Sequence, residues 1–335
     1  MHFEATNLTC KQQALIRTVH FINITMKMST QKITTILFLF VLGFSATAQE
    51  SSKVIVTGVR FSYPLVQSWI DAYKTSNPNA NIQIESRTTT DPAQYDLLIE
   101  AFEPDSAAKN TRDFVYIGRY ALLPVANAQS SFAKQFAAKG LTEEIIKQAY
   151  FTDPYADKRK EKKIAANYTV YTRLQKAGAP ITLAKYFGFE QSNIKGKAIA
   201  GADEHLIKAV LKDSSAISYA TLGLIFDLNS HQQAKGLSIL PVDLDDNGKV
   251  SDDEKIYSNL DNVITRFEQG DLKNVPIEYI HVSIAKKKTN AEALKFLQWI
   301  LQNGQDNLHH YGFLKPEPQR FQREKEKLLK QLTSN

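Results

Sequence analysis

The chain has 335 residues and a formal net charge of +6. Residues 1–48 hold Lys11, Arg17, Lys27 and Lys32 against Glu4, so the remainder stands near +3, a bias too mild for a nucleic-acid-binding surface and only weakly favourable to small anions. The single cysteine, Cys10, also falls in those first residues, which excludes a disulfide, a thiol nucleophile and a lipidated cysteine from the rest.

Lys27 and Lys32 make a basic region, Ile33–Phe44 is an apolar stretch too short for a comfortable membrane helix, and Ala46-Thr47-Ala48 fits an A-x-A cleavage signature. The expectation is a cleaved signal peptide within residues 1–48, preceded by an over-extended start, with Gln49 as the mature N-terminus and a periplasmic location. A mature chain of roughly 287 residues is long enough for two lobes with sizeable cores.

The first strand is predicted at Lys53–Thr57. It runs into Thr57-Gly58-Val59-Arg60-Phe61-Ser62-Tyr63-Pro64-Leu65, a glycine turn that opens a helix. Such a turn gathers unpaired backbone N–H groups and the positive end of a helix dipole, which suits an anion, and Arg60 adds a charge there. Leu65, Val66, Trp69, Ile70 and Tyr73 recur at helical spacing as the buried stripe of that helix, which Asn77-Pro78-Asn79 closes. Asn81–Glu85, Tyr95–Ala101 and Asp113–Gly118 read as strands, the last running on into Arg119–Asn127. Leu141–Tyr150 is helical, and Thr152–Lys163, with five basic residues in 158–163, is a solvated surface loop.

Asn167–Arg173 reads as a strand, Ile181–Phe187 as a helix, and Asp203–Lys212 as a helix with an acidic first turn. Ala216–Tyr219 and Leu237–Pro241 are strands, Leu260–Gln269 a helix, and Ile277–Ile284 a strand. Asn290–Asn303 is a strong helix, His309-His310 ends a helix, and Arg320–Leu332 is a charged amphipathic helix. Alternating strands and helices predict an α/β fold with mostly parallel sheets.

Asp243 to Glu254 matches a 12-residue calcium loop. Asp243, Asp245 and Asn247 offer side-chain oxygens at loop positions 1, 3 and 5. Gly248 allows the turn, Lys249 offers its carbonyl, Ser251 acts directly or through water, and Glu254 closes the site as a bidentate ligand. The bland alternative is an acidic Asp-Asn-Gly surface turn. Because a strand precedes the loop, a structural Ca²⁺ is expected rather than a helix–loop–helix sensor.

Several segments together carry a resemblance. They are Thr57–Tyr73 with Gly58, Phe61, Pro64, Trp69 and Tyr73, Tyr116–Asn127, Thr169–Gly178 with Arg173 and Gly178, Ala216-Ile217-Ser218-Tyr219, and Phe296-Leu297 with Trp299 through Gly304 to Tyr311-Gly312-Phe313 and Pro316. In this order the chain resembles the phosphate-binding protein of bacterial phosphate ABC transporters, within the type 2 periplasmic binding-protein fold. The resemblance implies two lobes, residues 49–120 with 275–335 and residues 121–274 including the loop 243–254, each a mostly parallel sheet flanked by helices. It implies ligand capture in the cleft between them, on Gly58, Arg60, Phe61, Ser62, Arg173 and Gly178. The ligand would be inorganic phosphate or a related oxyanion, and the partners ABC transporter membrane subunits.

The departures from the family matter. Arg60 stands where the family has Ser or Thr, and Ala177 and Ala179 replace the Ser and Thr of its Arg-x-x-x-Ser-Gly-Thr loop. Two hydroxyl donors are therefore lost, so the pocket could hold phosphate or a phosphorylated or carboxylated organic ligand. The family places an Asp after its third strand to accept the proton of hydrogen phosphate; here Glu100 is the candidate for that role, with Asp96 second, the alternative for Glu100 being a solvated strand-end carboxylate. Arg119 is a third cationic candidate, the alternative being a hinge salt bridge.

No Gly-x-Ser-x-Gly, His-Glu-x-x-His or Walker loop is present, and His309-His310 makes a poor chelate. The expectation is a monomeric binding protein rather than an enzyme, with no nucleic-acid partner. The alternative function is a sensor or scaffold of the cell envelope that keeps the fold.

Overall fold

The computed structural model describes residues 52–89, 91–154, 164–287 and 290–334. The expected export segment with Cys10, and most of the basic loop Thr152–Lys163, lie outside the described residues. No helix among the described residues is long and apolar enough to cross a membrane.

The described strands are β1 (Val54–Gly58), β2 (Ile82–Ile84), β3 (Leu97–Glu100), β4 (Arg112–Asn127), β5 (Thr169–Arg173), β6 (Lys197–Ile199), β7 (Ala216–Thr221), β8 (Leu237–Ile239) and β9 (Ile277–Ala285). They join in the order β2-β1-β3-β9-β4-β7-β5-β6, with β8 beside β4. The α/β expectation holds: the strands form a curled sheet flanked by helices. β1 is parallel to β2 and β3, and β5 is parallel to β6 and β7. β9 and β4 run antiparallel to their neighbours, so the sheet is mixed rather than mostly parallel.

β4 joins the two halves of the sheet. It pairs with β9 up to Ala121↔Ile277 and with β7 from Leu122↔Thr221, so its partner changes within one residue step. A bulge between Tyr116 and Gly118 shifts its register. The strand continues past Gly118 to Asn127, as the sequence suggests, and carries Pro124 through a fully buried stretch. The Pro124 carbonyl accepts from Leu240 N at 3.0 Å.

The helix Tyr63–Ser76 shows how sequence becomes core. Pro64 sits in its first turn, where its missing N–H costs nothing. Leu65, Val66, Trp69, Ile70 and Tyr73 form its buried face, and a fully buried Leu65 or Ile70 contributes about 2 kcal/mol relative to exposure. Trp69 Nε1 donates to the Gly304 carbonyl at 2.7 Å, tying the first helix to the end of helix Ala291–Asn303. The hydrophobic core runs through both halves of the sheet, from Val54 to Leu328.

Three short helices escape the periodicity: Ser106–Thr111, Ser131–Phe136 and Leu222–Ile225. Two are begun by caps, with Asp105 accepting from Ala108 N and Ser130 from Ala133 N. His309-His310 does not end a helix. The helix stops at Asn303, and His309–Tyr311 is a separate 3₁₀ turn that closes on Gly312 at φ +75°.

Candidate anion-binding site

The segments that follow β1, β3, β5 and β6 line one cavity of about 460 Å³. It lies at the carboxyl ends of parallel strands, where open α/β sheets leave room for a ligand. Gly58 ends β1 at φ +144°, and a Cβ there would stand 2.0 Å from the Ile99 carbonyl oxygen of β3. Only glycine lets the chain turn against its neighbour strand this closely. Val59 N then donates to Ile99 O at 3.0 Å, and Arg60–Ser62 forms a 3₁₀ turn that leads into helix Tyr63–Ser76.

Gly58, Arg60, Phe61, Glu100, Arg173 and Gly178 are thereby brought around the same cavity. Arg60 is exposed. Phe61 is also a core anchor, 5.2 Å from the Tyr120 ring and 6.1 Å from that of Phe313.

Two residues expected in this group stand elsewhere. Ser62 is buried, and its hydroxyl donates to the Val59 carbonyl at 2.7 Å, so the turn itself consumes it. Arg119 lines a different cavity. Its Nε donates to Lys315 O at 2.8 Å and its Nη1 to Glu317 at 2.9 Å, which is the salt-bridge alternative. The physical reason is β4 itself: residue 119 pairs with β9 at Tyr279 and bridges to Leu314, which sets it beside Lys315 and Glu317.

Arg173 ends β5 and donates from Nη1 to Asp203 Oδ1 at 2.7 Å, with each side chain 11% exposed. Asp203 opens helix Asp203–Lys212. Burial raises its carboxyl above the ordinary aspartate value, and Arg173 opposes that rise. Arg173 Nε is buried with no hydrogen-bond partner among the described residues.

Gly178 meets the opposite half of the sheet: a Cβ on it would stand 2.7 Å from Ala101 Cβ and 2.9 Å from Ala101 O. Nearby, Tyr120 Oη donates to Ala101 O and shares a 2.7 Å hydrogen bond with Thr182 Oγ1. Glu100 ends β3 with its carboxylate 3.8 Å from Arg87 Nη1 and 3.7 Å from His281 Nε2. His281 is buried, and its Nε2 lacks a hydrogen-bond partner among the described residues.

Arg87, Phe102, Lys176 and Asp203 also line the cavity and are absent from the expected set. Lys176 lies inside the Arg173–Gly178 loop and was within reach of the pattern. Asp203 was legible only as a helix-start acid, and Arg87 lies in a Thr-rich loop with no pattern of its own. Among the described residues the lining contains no serine or threonine.

The acidic loop follows β8, and its Asp252–Glu254 segment is a 3₁₀ turn, so no helix–loop–helix surrounds it. One carboxylate oxygen each from Asp243, Asp245 and Glu254 lies within 4.8 Å of the others. Asp243 accepts from Asn247 N and Gly248 N, and Glu254 accepts from Leu244 N, Asp245 N, Ser251 N and Ser251 Oγ. The Asn247 side-chain oxygen accepts from Lys249 N at 3.2 Å. Asp243 and Glu254 are buried while Asp245, Asn247 and Lys249 are exposed.

No family model matches the sequence, and no curated protein does. Solved structures do match. One is a Clostridium perfringens protein solved with bound phosphate and named as a phosphate ABC transporter substrate-binding protein, with TM-score 0.59 and 16% identity over 79% of this chain and 100% of that one. An ABC-type phosphate transport receptor from Vibrio cholerae matches with TM-score 0.53 and 14% identity over 79% of this chain and 100% of that one. A protein described as a possible phosphate binding protein from Planctomyces limnophilus matches with TM-score 0.51 and 13% identity over 84% and 99%. At these identities the likeness shows the fold: the chain is built like these binding proteins.

Proposed function

We propose that this chain is an exported solute-binding protein that holds an oxyanion, phosphate foremost, in its cleft for uptake by an ABC transporter. One observation carries the reading: Arg60, Arg87, Arg173 and Lys176 converge on one cavity with the turns that open three helices. Helix starts offer free N–H groups and a positive dipole end, and guanidinium groups match oxyanion geometry. Glu100 would accept the proton of hydrogen phosphate, which favours it over sulfate. A lining without serine, threonine, cysteine or histidine favours binding over covalent chemistry. The fold shared with proteins named for phosphate binding supports the same conclusion. The protein is taken to act as a periplasmic monomer.

A second reading, an envelope sensor or scaffold, is favoured by Arg173 being engaged with Asp203 in a lining that lacks hydroxyls. Thermal unfolding separates the two. The protein is stripped of ligand by unfolding and refolding with calcium present, then heated with phosphate, sulfate or molybdate at about 1 mM. A micromolar ligand adds about 4 kcal/mol, several degrees in melting temperature for a chain of this size. A shift with phosphate supports the transporter reading, and no shift with any anion supports the sensor or scaffold.

The loop Asp243–Glu254 is proposed to hold a structural Ca²⁺. Three carboxylates converge there, and the oxygen-rich ligand set suits a hard cation. Asp243, Asp245, Asn247 and Glu254 would supply side-chain oxygens, Lys249 its carbonyl, and Ser251 a direct or water-borne contact.

A further inference from the structure

The cleft chemistry points to a narrower ligand class, an inference that rests on the oxyanion reading above and replaces its inorganic phosphate with a phosphate or carboxylate head on an apolar organic body. A bare tetrahedral oxyanion sheds part of its hydration shell on entering, and each oxygen turned to the wall then needs a donor. Among the described residues this cavity offers side-chain donors on Arg60, Arg87, Arg173, Gln175 and Lys176 only. Its other walls are Val59, Ile99, Phe102, Ala177 and Ala202, none with a side-chain polar atom. An oxyanion oxygen turned toward these side chains meets no side-chain donor, whereas a hydrocarbon or ring placed there is freed from water.

The size agrees. About 460 Å³ lies in the range, roughly 300–1,000 Å³, of pockets that enclose small organic molecules, and a five-atom anion would leave most of it to solvent. The charges are also divided. Arg173 is engaged by Asp203, and Arg87 stands by Glu100. Arg60 and Lys176 are exposed and have no side-chain partner among the described residues. These two cations take the anionic head, and the half-buried Phe102 takes the organic body.

Calorimetric titration of the stripped, refolded protein tests this with inorganic phosphate, sulfate, phenyl phosphate and benzoate. Phenyl phosphate is expected to bind about tenfold or more tightly than inorganic phosphate. Phe102→Ala should lose more affinity for phenyl phosphate than for inorganic phosphate, and Ala177→Ser should raise affinity for inorganic phosphate by adding a donor. Tighter binding of benzoate than of either phosphate also supports an organic anion, with a carboxylate head. Inorganic phosphate or sulfate binding as tightly as phenyl phosphate overturns the inference and leaves the oxyanion reading standing. If none of the four binds, the oxyanion reading fails and the inference falls with it.

Discussion

Arg173 and Asp203, 30 residues apart in sequence, form a 2.7 Å ion pair that joins the end of β5 to the start of helix Asp203–Lys212 in the lining of the cavity. Removing one partner strands the other in a poorly hydrated place. Arg173→Ala should weaken phosphate binding, since the cavity loses one of its cations, and lower stability by about 3 kcal/mol, read by urea unfolding, while Arg173→Ala with Asp203→Ala should recover part of the stability. Phosphate binding unchanged in Arg173→Ala would show that Arg173 takes no part in holding the anion.

Gly178 touches Ala101 from across the cleft. Gly178→Ala should push the two halves of the sheet apart and weaken anion binding by about tenfold, a modest loss of closure. The far-ultraviolet spectrum should not change. Unaltered affinity would mean that this contact plays no part in holding the ligand.

Gly58→Ala places a methyl group on the Ile99 carbonyl in a backbone region that other residues avoid. It should destabilise by about 3 kcal/mol or more, measured as a lowered thermal midpoint. A wild-type midpoint would contradict the close approach of β1 and β3.

Glu268 accepts from His309 Nε2 at 2.9 Å and from Lys315 N at 2.5 Å. Burial acts to raise its carboxyl, but these two donors hold it below the ordinary range. A depressed folded value means that the stabilisation is present above the unfolded value and is lost as pH falls through the folded one. Glu268→Gln should therefore cost about 1–2 kcal/mol at neutral pH, and the difference should shrink in acid. A difference that stays constant with pH would exclude a charged carboxylate there.

Calcium should raise the melting temperature, EDTA should reverse the rise, and Glu254→Gln should remove most of the response. Equal melting with and without calcium would leave Asp243 and Glu254 as carboxylates that tie the loop to itself through backbone N–H groups.

Long periodic elements were legible in the sequence, and the helix Asp203–Lys212 has the bounds its pattern gives. β4 was legible as Asp113–Gly118 running on into Arg119–Asn127, although Gly118 and Pro124 are weak strand residues; pairing with β9 at the first and with β7 at the second carries the strand through them. β6, largely exposed at the sheet edge, shows no alternation to read. In the cleft, Gly58 and Arg173 sit in local turns that the sequence displays. The partnership of Arg173 with Asp203 and the approach of Arg87 to Glu100 depend on tertiary packing. The hydroxyl of Ser62 was misleading, since its own turn claims it, and Arg119 faces Glu317 because the register of β4 against β9 turns it that way.

The single residue step at which β4 trades β9 for β7 also governs when the molecule can assemble. β1 and β3 reach β4 only through β9, which follows the end of β4 by about 150 residues. At ribosomal speeds of roughly 5–20 residues per second that gap takes on the order of ten seconds. During it the amino-terminal strands lack their neighbour, and such long-range closure is intrinsically slow. A chain ordered in this way postpones its own completion until the strand that bridges its two ends has been made.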